Sequence, residues 1–186
     1  MAKRLRHRQA GSRTVARPDR ELLICLIIIA AGLGYYAYKH WNAVPPPAII
    51  GKAWVIDGDT INISGTHIRL DGIDAPETDQ PCTDSSGKTW SCGKAAADEL
   101  KARIRAQELT CESKAFDKYK RVIAVCTLSD GSDINAWMVQ QGWAVAYGYA
   151  NTYESEEAEA RAAKRGIWAG SFVMPSQWRQ SQKPED

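Results

Sequence analysis

Residues 22–38, LLICLIIIAAGLGYYAY, carry no charge, and such a run restricts every architecture open to the chain. As a helix it would span roughly 25 Å at ~1.5 Å per residue, a little short of a ~30 Å hydrocarbon core. Residues 1–20 ahead of it hold seven Lys/Arg (Lys3, Arg4, Arg6, Arg8, Arg13, Arg17, Arg20) and one acid, Asp19. At its far end gather Tyr35, Tyr36, Tyr38 and Trp41, aromatic residues of the kind found at membrane interfaces. Cations before the run and few after it predict a cytoplasmic N-terminus and an exported remainder. A buried core helix fits poorly beside a naked basic tail. A cleaved signal peptide is the stronger competitor, with AAG at 30–32 and GLG at 32–34 as small-residue cleavage sites. The long basic region and the length of the apolar run favour an uncleaved anchor over residues 21–41. Cys25 follows Ile24 near the start of the run and is no lipoprotein site.

Once that tail is set apart, the charge of the rest reads differently. The chain has 24 Lys/Arg and 22 Asp/Glu, a net of +2. Positions 21–186 keep 17 basic and 21 acidic residues, a net of −4. A basic footprint for a polyanion cannot cover the body, so any such site there is local.

Three prolines at 45–47 predict a stiff, extended spacer over residues 42–50. A single domain is expected at 51–178, followed by a polar, frayed tail at 179–186. AWVI, TINI and HIRL read as strands, the last two joined by a Ser64-Gly65 turn. Residues 93–107 read as an amphipathic helix with Ala96, Leu100 and Ile104 on one stripe. LTCES and RVIAVCTL are two more strands meeting at DKYK. A short helix should start after Asp133 and stop at Gly142. WAVAYGY reads as extended, and a third helix as ending at Gly166. The plan is α+β, compatible with a small barrel carrying helices. Trp137, Trp143 and Trp168 are most simply core.

Outside the anchor there are four cysteines, Cys82, Cys92, Cys111 and Cys126, which allow three pairings. Cys111 and Cys126 lie symmetrically about a turn at residues 117–120, so a hairpin sets them opposite one another on neighbouring strands. Closing that loop of about 15 residues contributes roughly 3 kcal/mol in the chain-entropy model. Cys82 and Cys92 would then staple the polar loop TDSSGKTWS. Zinc is a poor alternative, because there is no C-x-x-C and His67 is the one histidine of the domain. Two disulfides agree with export.

The chemistry concentrates in WVIDGDT and LDGIDAPE, which bring Asp57, Asp59, Asp71, Asp74 and Glu77 together around Arg69. Like charges repel, and such a cluster calls for a cation. Oxygen donors without thiolate or imidazole suit Ca²⁺ or Mg²⁺. An EF-hand loop beginning at Asp57 fails, since Ile61, Asn62 and Ile68 stand where a ligand, a glycine and a bidentate glutamate are needed. Turn chemistry accounts for Asp57-Gly58 and Asp71-Gly72. It leaves Asp59, Asp74 and Glu77 unexplained.

VIDGDT, IRLDGIDAPE, FDKYKR, VQQGWAVAYGY and AKRGIW, in this order, resemble the staphylococcal nuclease (thermonuclease) family across residues 51–168. The resemblance implies an OB-type five-stranded barrel with about three helices, here preceded by a transmembrane helix. It also implies Ca²⁺-dependent hydrolysis of DNA and RNA phosphodiesters. By motif, Asp59 and Asp74 resemble the carboxylate metal ligands, and Ala75 the residue that adds a main-chain carbonyl. The best-known member has threonine at that last position. Glu77 resembles the general base, and Arg69 and Arg121 the two arginines that grip the phosphate. Such chemistry needs guanidinium forks and a divalent ion against the extra charge of the attacked phosphate, while a carboxylate takes the water's proton. Tyr147 and Tyr149 match positions of the nucleotide pocket, although alternating residues of a strand could equally pack together. Lys118, Tyr119 and Lys120 at the hairpin tip would supply the local positive patch for DNA or RNA. No protein partner is implied and a monomer is expected. The competing function classes are a nuclease-like module that binds without cleaving, and a role in envelope or exopolysaccharide assembly.

Overall fold

A computed structural model describes residues 20–41, 47–105, 107–148 and 152–183, and divides into two compact units, Met1–Ala43 and Val44–Asp186. In the first unit, α1 (Arg20–Trp41) takes up the apolar run as 22 residues of helix, about 33 Å of rise. Its side chains are exposed over Arg20–Tyr38, and by length and composition it can cross a membrane. The basic tail at 1–19 and most of the proline spacer, at 42–46, lie outside the described residues.

The second unit is a closed barrel of β1 (Ile49–Val55), β2 (Thr60–Ile63), β3 (Thr66–Leu70), β7 (Glu108–Phe116) and β8 (Val122–Leu128), in the order β1-β2-β3-β8-β7. All pairs are antiparallel except β3–β8. Short pairs stand beside it: β4 (Ile73–Asp74) with β9 (Val145–Ala146), and β5 (Cys82–Thr83) with β6 (Thr89–Trp90). The helices are α2 (Cys92–Ile104), α3 (Ile134–Gln140), α4 (Glu154–Ala162) and α5 (Pro175–Ser181), with a 3₁₀ turn at Gly166–Ala169. The fold is α+β, as the element order predicts.

Strand alternation drives the barrel. Along β8 buried and half-buried residues alternate without a break, so Val122, Ala124, Cys126 and Leu128 point inward. They meet Ile61, Ile63, Ile68 and Leu70 from β2 and β3, and the stripe Ala96, Leu100 and Ile104 of α2 closes over them. Trp137 and Trp143 are half-buried against this core, and Trp168 against a smaller one around the Cys82–Cys92 pair. The cysteines pair as Cys82–Cys92 and Cys111–Cys126, the latter facing each other in the β7–β8 register. A bulge between Ser113 and Ala115 then shifts the register, so that Phe116 faces Val122 and the turn runs through Asp117–Arg121.

Several boundaries differ from the sequence expectation. Helix α2 stops at Ile104, not at 107, because Arg105 takes a left-handed conformation (φ 40°) and returns its N–H to the Lys101 carbonyl. Helix α4 stops at Ala162; Lys164 is left-handed (φ 52°), and Gly166 opens the 3₁₀ turn in place of closing a helix. Among the described residues of WAVAYGY, 143–148, strand is confined to Val145–Ala146. Of the expected frayed tail at 179–186, residues 179–181 instead close α5, a fourth α-helix among the described residues of this unit, and 184–186 lie outside them.

Candidate active site

Two D-G turns carry the carboxylates. In the first, Ile56 and Asp57 donate their N–H groups to the Thr60 carbonyl, and Asp57 Oδ1 accepts from Asp59 N at 3.0 Å. Gly58 is needed there: a Cβ on it would stand 2.6 Å from the Ala75 methyl. Asp59 is thereby buried (4% exposed), with Oδ2 accepting from Ala75 N at 2.9 Å and Oδ1 from the Thr60 hydroxyl at 3.1 Å. The second turn is held from behind by buried Asn135, whose amide donates to the Asp71 carbonyl (2.9 Å) and the Ala124 carbonyl (3.1 Å). Tyr153 lies against Gly72 and donates its hydroxyl to Asp133, the N-cap of α3. The chain emerges into β4, where the β9 pairing fixes Asp74 at 1% exposure.

Two arginines meet these acids, and a third stands beside them. Arg69, on β3, donates Nη1 to Asp59 Oδ1 and Nη2 to Asp74 Oδ1 (2.8 Å), so one guanidinium spans both carboxylates. Burial works against its charge, but the two aspartates outweigh burial and hold the proton more firmly than usual. Arg179, on α5, forks onto Asp74, with Nη1 at 2.9 Å from Oδ1 and Nη2 at 2.9 Å from Oδ2. Its Nη1 also donates to Glu77 Oε1 at 2.8 Å. Arg121 stands apart: its Nε donates to Asp117 Oδ2 at 2.7 Å, while Asp117 Oδ1 accepts from the backbone N–H groups of Tyr119 and Arg121. Burial pushes the Asp59 carboxyl up to about 7, against the pull of Arg69.

A cleft of about 500 Å³ opens over these groups. Its walls include Asp59, Arg69, Ala75, Glu77, Lys118, Tyr119, Arg121 and Tyr147, eight of the residues singled out from the sequence. Asp74 lies beneath, reached through Arg69 and Arg179. Tyr147 is 55% exposed and lines the cleft, so it does not pack inside a strand face. Tyr149 lies outside the described residues. Asp57, named in the carboxylate cluster and given to turn chemistry, also lines the cleft, as do Asp117 and Arg179, to which sequence reasoning gave no role. For Asp117 a signal existed, in its spacing of four from Arg121 across a turn; for Arg179 none did.

The donor set at Asp59 and Asp74 is oxygen alone, with no thiolate or imidazole beside it, which suits a hard cation. Both carboxylates are buried and bonded to the same guanidinium, so they lie close together. Among the described residues no three His, Cys, Asp or Glu side chains form a ready cage. A cation here would therefore rest on two carboxylates, a carbonyl and water, an arrangement within the range of Ca²⁺.

A closed five-stranded barrel with helices packed on it and a carboxylate–arginine cleft defines a nuclease-like, OB-type domain. The chain belongs to the staphylococcal nuclease homologue family, whose model matches residues 67–170, more than half of its length. It is 42% identical over 143 residues to the succinoglycan biosynthesis protein ExoI of Rhizobium meliloti, covering 75% of this chain and 74% of that one. It is 32% identical over 148 residues to the micrococcal nuclease of Shigella flexneri (69% and 79% covered), and 32% over 128 residues to an uncharacterized endonuclease of Escherichia coli (65% and 77%). Its function is nuclease-like.

Proposed function

We propose that this protein is a membrane-anchored, exported, monomeric nuclease that hydrolyses DNA and/or RNA phosphodiesters with Ca²⁺. The observation that carries the reading is the convergence of Asp59, Arg69, Glu77 and Arg121, from separate stretches of chain, on one cleft. In this reading Asp59, Asp74 and the Ala75 carbonyl hold Ca²⁺, which supplies positive charge beside the phosphate. Glu77 takes the proton of the attacking water as the water's oxygen bonds to phosphorus and an ester P–O bond breaks, the leaving oxygen taking a proton from solvent to depart as an alcohol. Arg121, steadied through Nε by Asp117, and Arg69 meet the charge that builds on the phosphate oxygens. Lys118, Tyr119, Tyr147 and Tyr149 receive the flanking nucleotides.

Export is supported by α1 and the two disulfides, with the N-terminus cytoplasmic, a spacer that ends where β1 begins at Ile49, two residues short of the expected 42–50, and the nuclease domain outside. Cleavage of α1 as a signal peptide would give a secreted form of the same domain. The test is a nicking assay with the full chain, purified in detergent without reductant, on plasmid DNA and single-stranded RNA. Millimolar Ca²⁺ should start cleavage and chelation should stop it. Failure to cut either substrate ends this reading and leaves a binding module.

The likeness to a succinoglycan biosynthesis protein favours a second reading, a part in envelope polysaccharide assembly. Deleting the gene would then change secreted polysaccharide, and restoring a Glu77→Gln copy would correct it only if cleavage is dispensable.

A further inference from the structure

We propose that Arg179 is a positioning residue of the hydrolytic centre, clamping the Glu77 carboxylate onto Asp74. The inference rests on the nuclease reading above and adds a part to it that lies beyond the family-matched stretch, residues 67–170. Asp74 has its own anchors, the β4–β9 pairing and Arg69. Glu77 has neither. It sits past Pro76 in a loop, with a side chain 35% exposed, and among the described residues the hydrogen bond to its carboxylate comes from Arg179. A glutamate free at all its rotatable bonds spends little time in any one orientation, whereas proton abstraction needs the carboxylate placed within a few tenths of an ångström. The shared Nη1 of Arg179, 2.9 Å from Asp74 Oδ1 and 2.8 Å from Glu77 Oε1, ties the loose carboxylate to the fixed one.

The rest of the C-terminal segment is built to hold that clamp. Thr83 and Ser171 exchange backbone hydrogen bonds of 2.9 Å in both directions. Gln80, fully buried, donates Nε2 to the Val173 carbonyl at 2.6 Å while its Oε1 accepts from Glu77 N at 3.3 Å. Pro175, buried at the first turn of α5, starts the helix that brings Arg179 back over the loop. The strap is thus sewn to the loop that carries Glu77 at three levels, of which the guanidinium is the last. Arg69 and Arg121 make no hydrogen bond to Glu77 among the described residues, so the clamp is not duplicated.

The test uses the full chain in detergent with a defined oligonucleotide at saturating Ca²⁺. Arg179→Gln should lower kcat about 10–100-fold, the scale for loss of a supporting partner, with KM unchanged within about threefold. Arg179→Lys, keeping charge but losing the fork, should fall between it and wild type. In a Glu77→Gln background, Arg179→Gln should cost less than about threefold more, because the group it positions no longer works as a base. A crystal structure of Arg179→Gln should show Asp74 in place and Glu77 without a single position. Independent losses in the double variant, a raised KM with unchanged kcat, faster turnover than wild type, or a Glu77 that stays put would each overturn the clamp. Wild type that cuts while the clamp fails leaves the nuclease reading intact; wild type that cuts nothing removes both.

Discussion

Asp117 and Arg121 form a closed unit at the hairpin tip, the carboxylate taking the Arg121 side chain through one oxygen and the backbone N–H groups of Tyr119 and Arg121 through the other. Burial alone would raise the Asp117 carboxyl, but the Arg121 guanidinium and the backbone N–H groups of Arg121 and Tyr119 together outweigh it and hold it below its ordinary value. The turn is therefore shaped around the arginine it presents. Asp117→Asn keeps the backbone acceptor and loses the charged one, which is worth about 1.5–3 kcal/mol for a hydrogen bond between charged groups. Initial rates on plasmid DNA should fall roughly 5–50-fold if even part of that free energy orients Arg121, with little change in melting temperature. A rate equal to wild type would show that Arg121 needs no such support.

Glu77→Gln keeps shape and size but cannot accept the water's proton. Its turnover should drop by about 10²–10⁴-fold while Ca²⁺ binding, followed by calorimetry, largely persists. Asp59→Ala should do the reverse, weakening Ca²⁺ binding so that raising the metal concentration recovers part of the rate. Glu77→Gln cutting at the wild-type rate would falsify the assignment of the base.

Gly93, the second residue of α2, lies directly against the loop of Glu77, and a Cβ there would lie 1.6 Å from the Glu77 carbonyl oxygen. Neither partner is a flexible side-chain tip, so helix or loop must move. Gly93→Ala should cost about 1–3 kcal/mol, as overpacking does, and lower the melting temperature by roughly 5–10 °C for a domain of this size. Activity should fall with it, because the displaced backbone carries Glu77, the proposed base. Differential scanning of the oxidised protein gives the first number and the nicking assay the second.

The Cys111–Cys126 bridge closes a separation of 15 residues between adjacent barrel strands. Replacing both by serine should remove about 3 kcal/mol, the chain-entropy value for such a loop, and reductant, which also opens Cys82–Cys92, should produce a larger drop in the wild type. A melting temperature indifferent to reductant would mean that β7 and β8 hold together without the bridge.

The parts of this molecule that could be read from its sequence are those specified by neighbours in the chain. Asp57-Gly58 and Asp71-Gly72 turn because of their own chemistry, the β8 alternation sets which residues face inward, and Asp133 caps α3 with its own side chain. The cysteines of the hairpin are opposed because they are equidistant from its turn. Arg105 and Lys164 take left-handed conformations with no glycine to announce them, so two helices end earlier than their patterns suggest. PSQWRQS has one large apolar residue, Trp178, in seven and reads as a polar end. What makes it a helix over the cleft is distant: Gln80 on Val173, and the acids waiting for Arg179. A contact between residues 102 positions apart leaves no periodicity to detect.

That separation also sets a clock. Chains grow at about 5–20 residues per second, so Arg179 leaves the ribosome some 5–20 s after Glu77. Throughout that interval the nascent chain already contains Asp59, Arg69, Asp74 and Glu77 but has no strap to tie the base in place. In the proposed exported form, that delay would leave a nuclease made beside its own messenger and chromosome without its clamp until the last of the chain is synthesised.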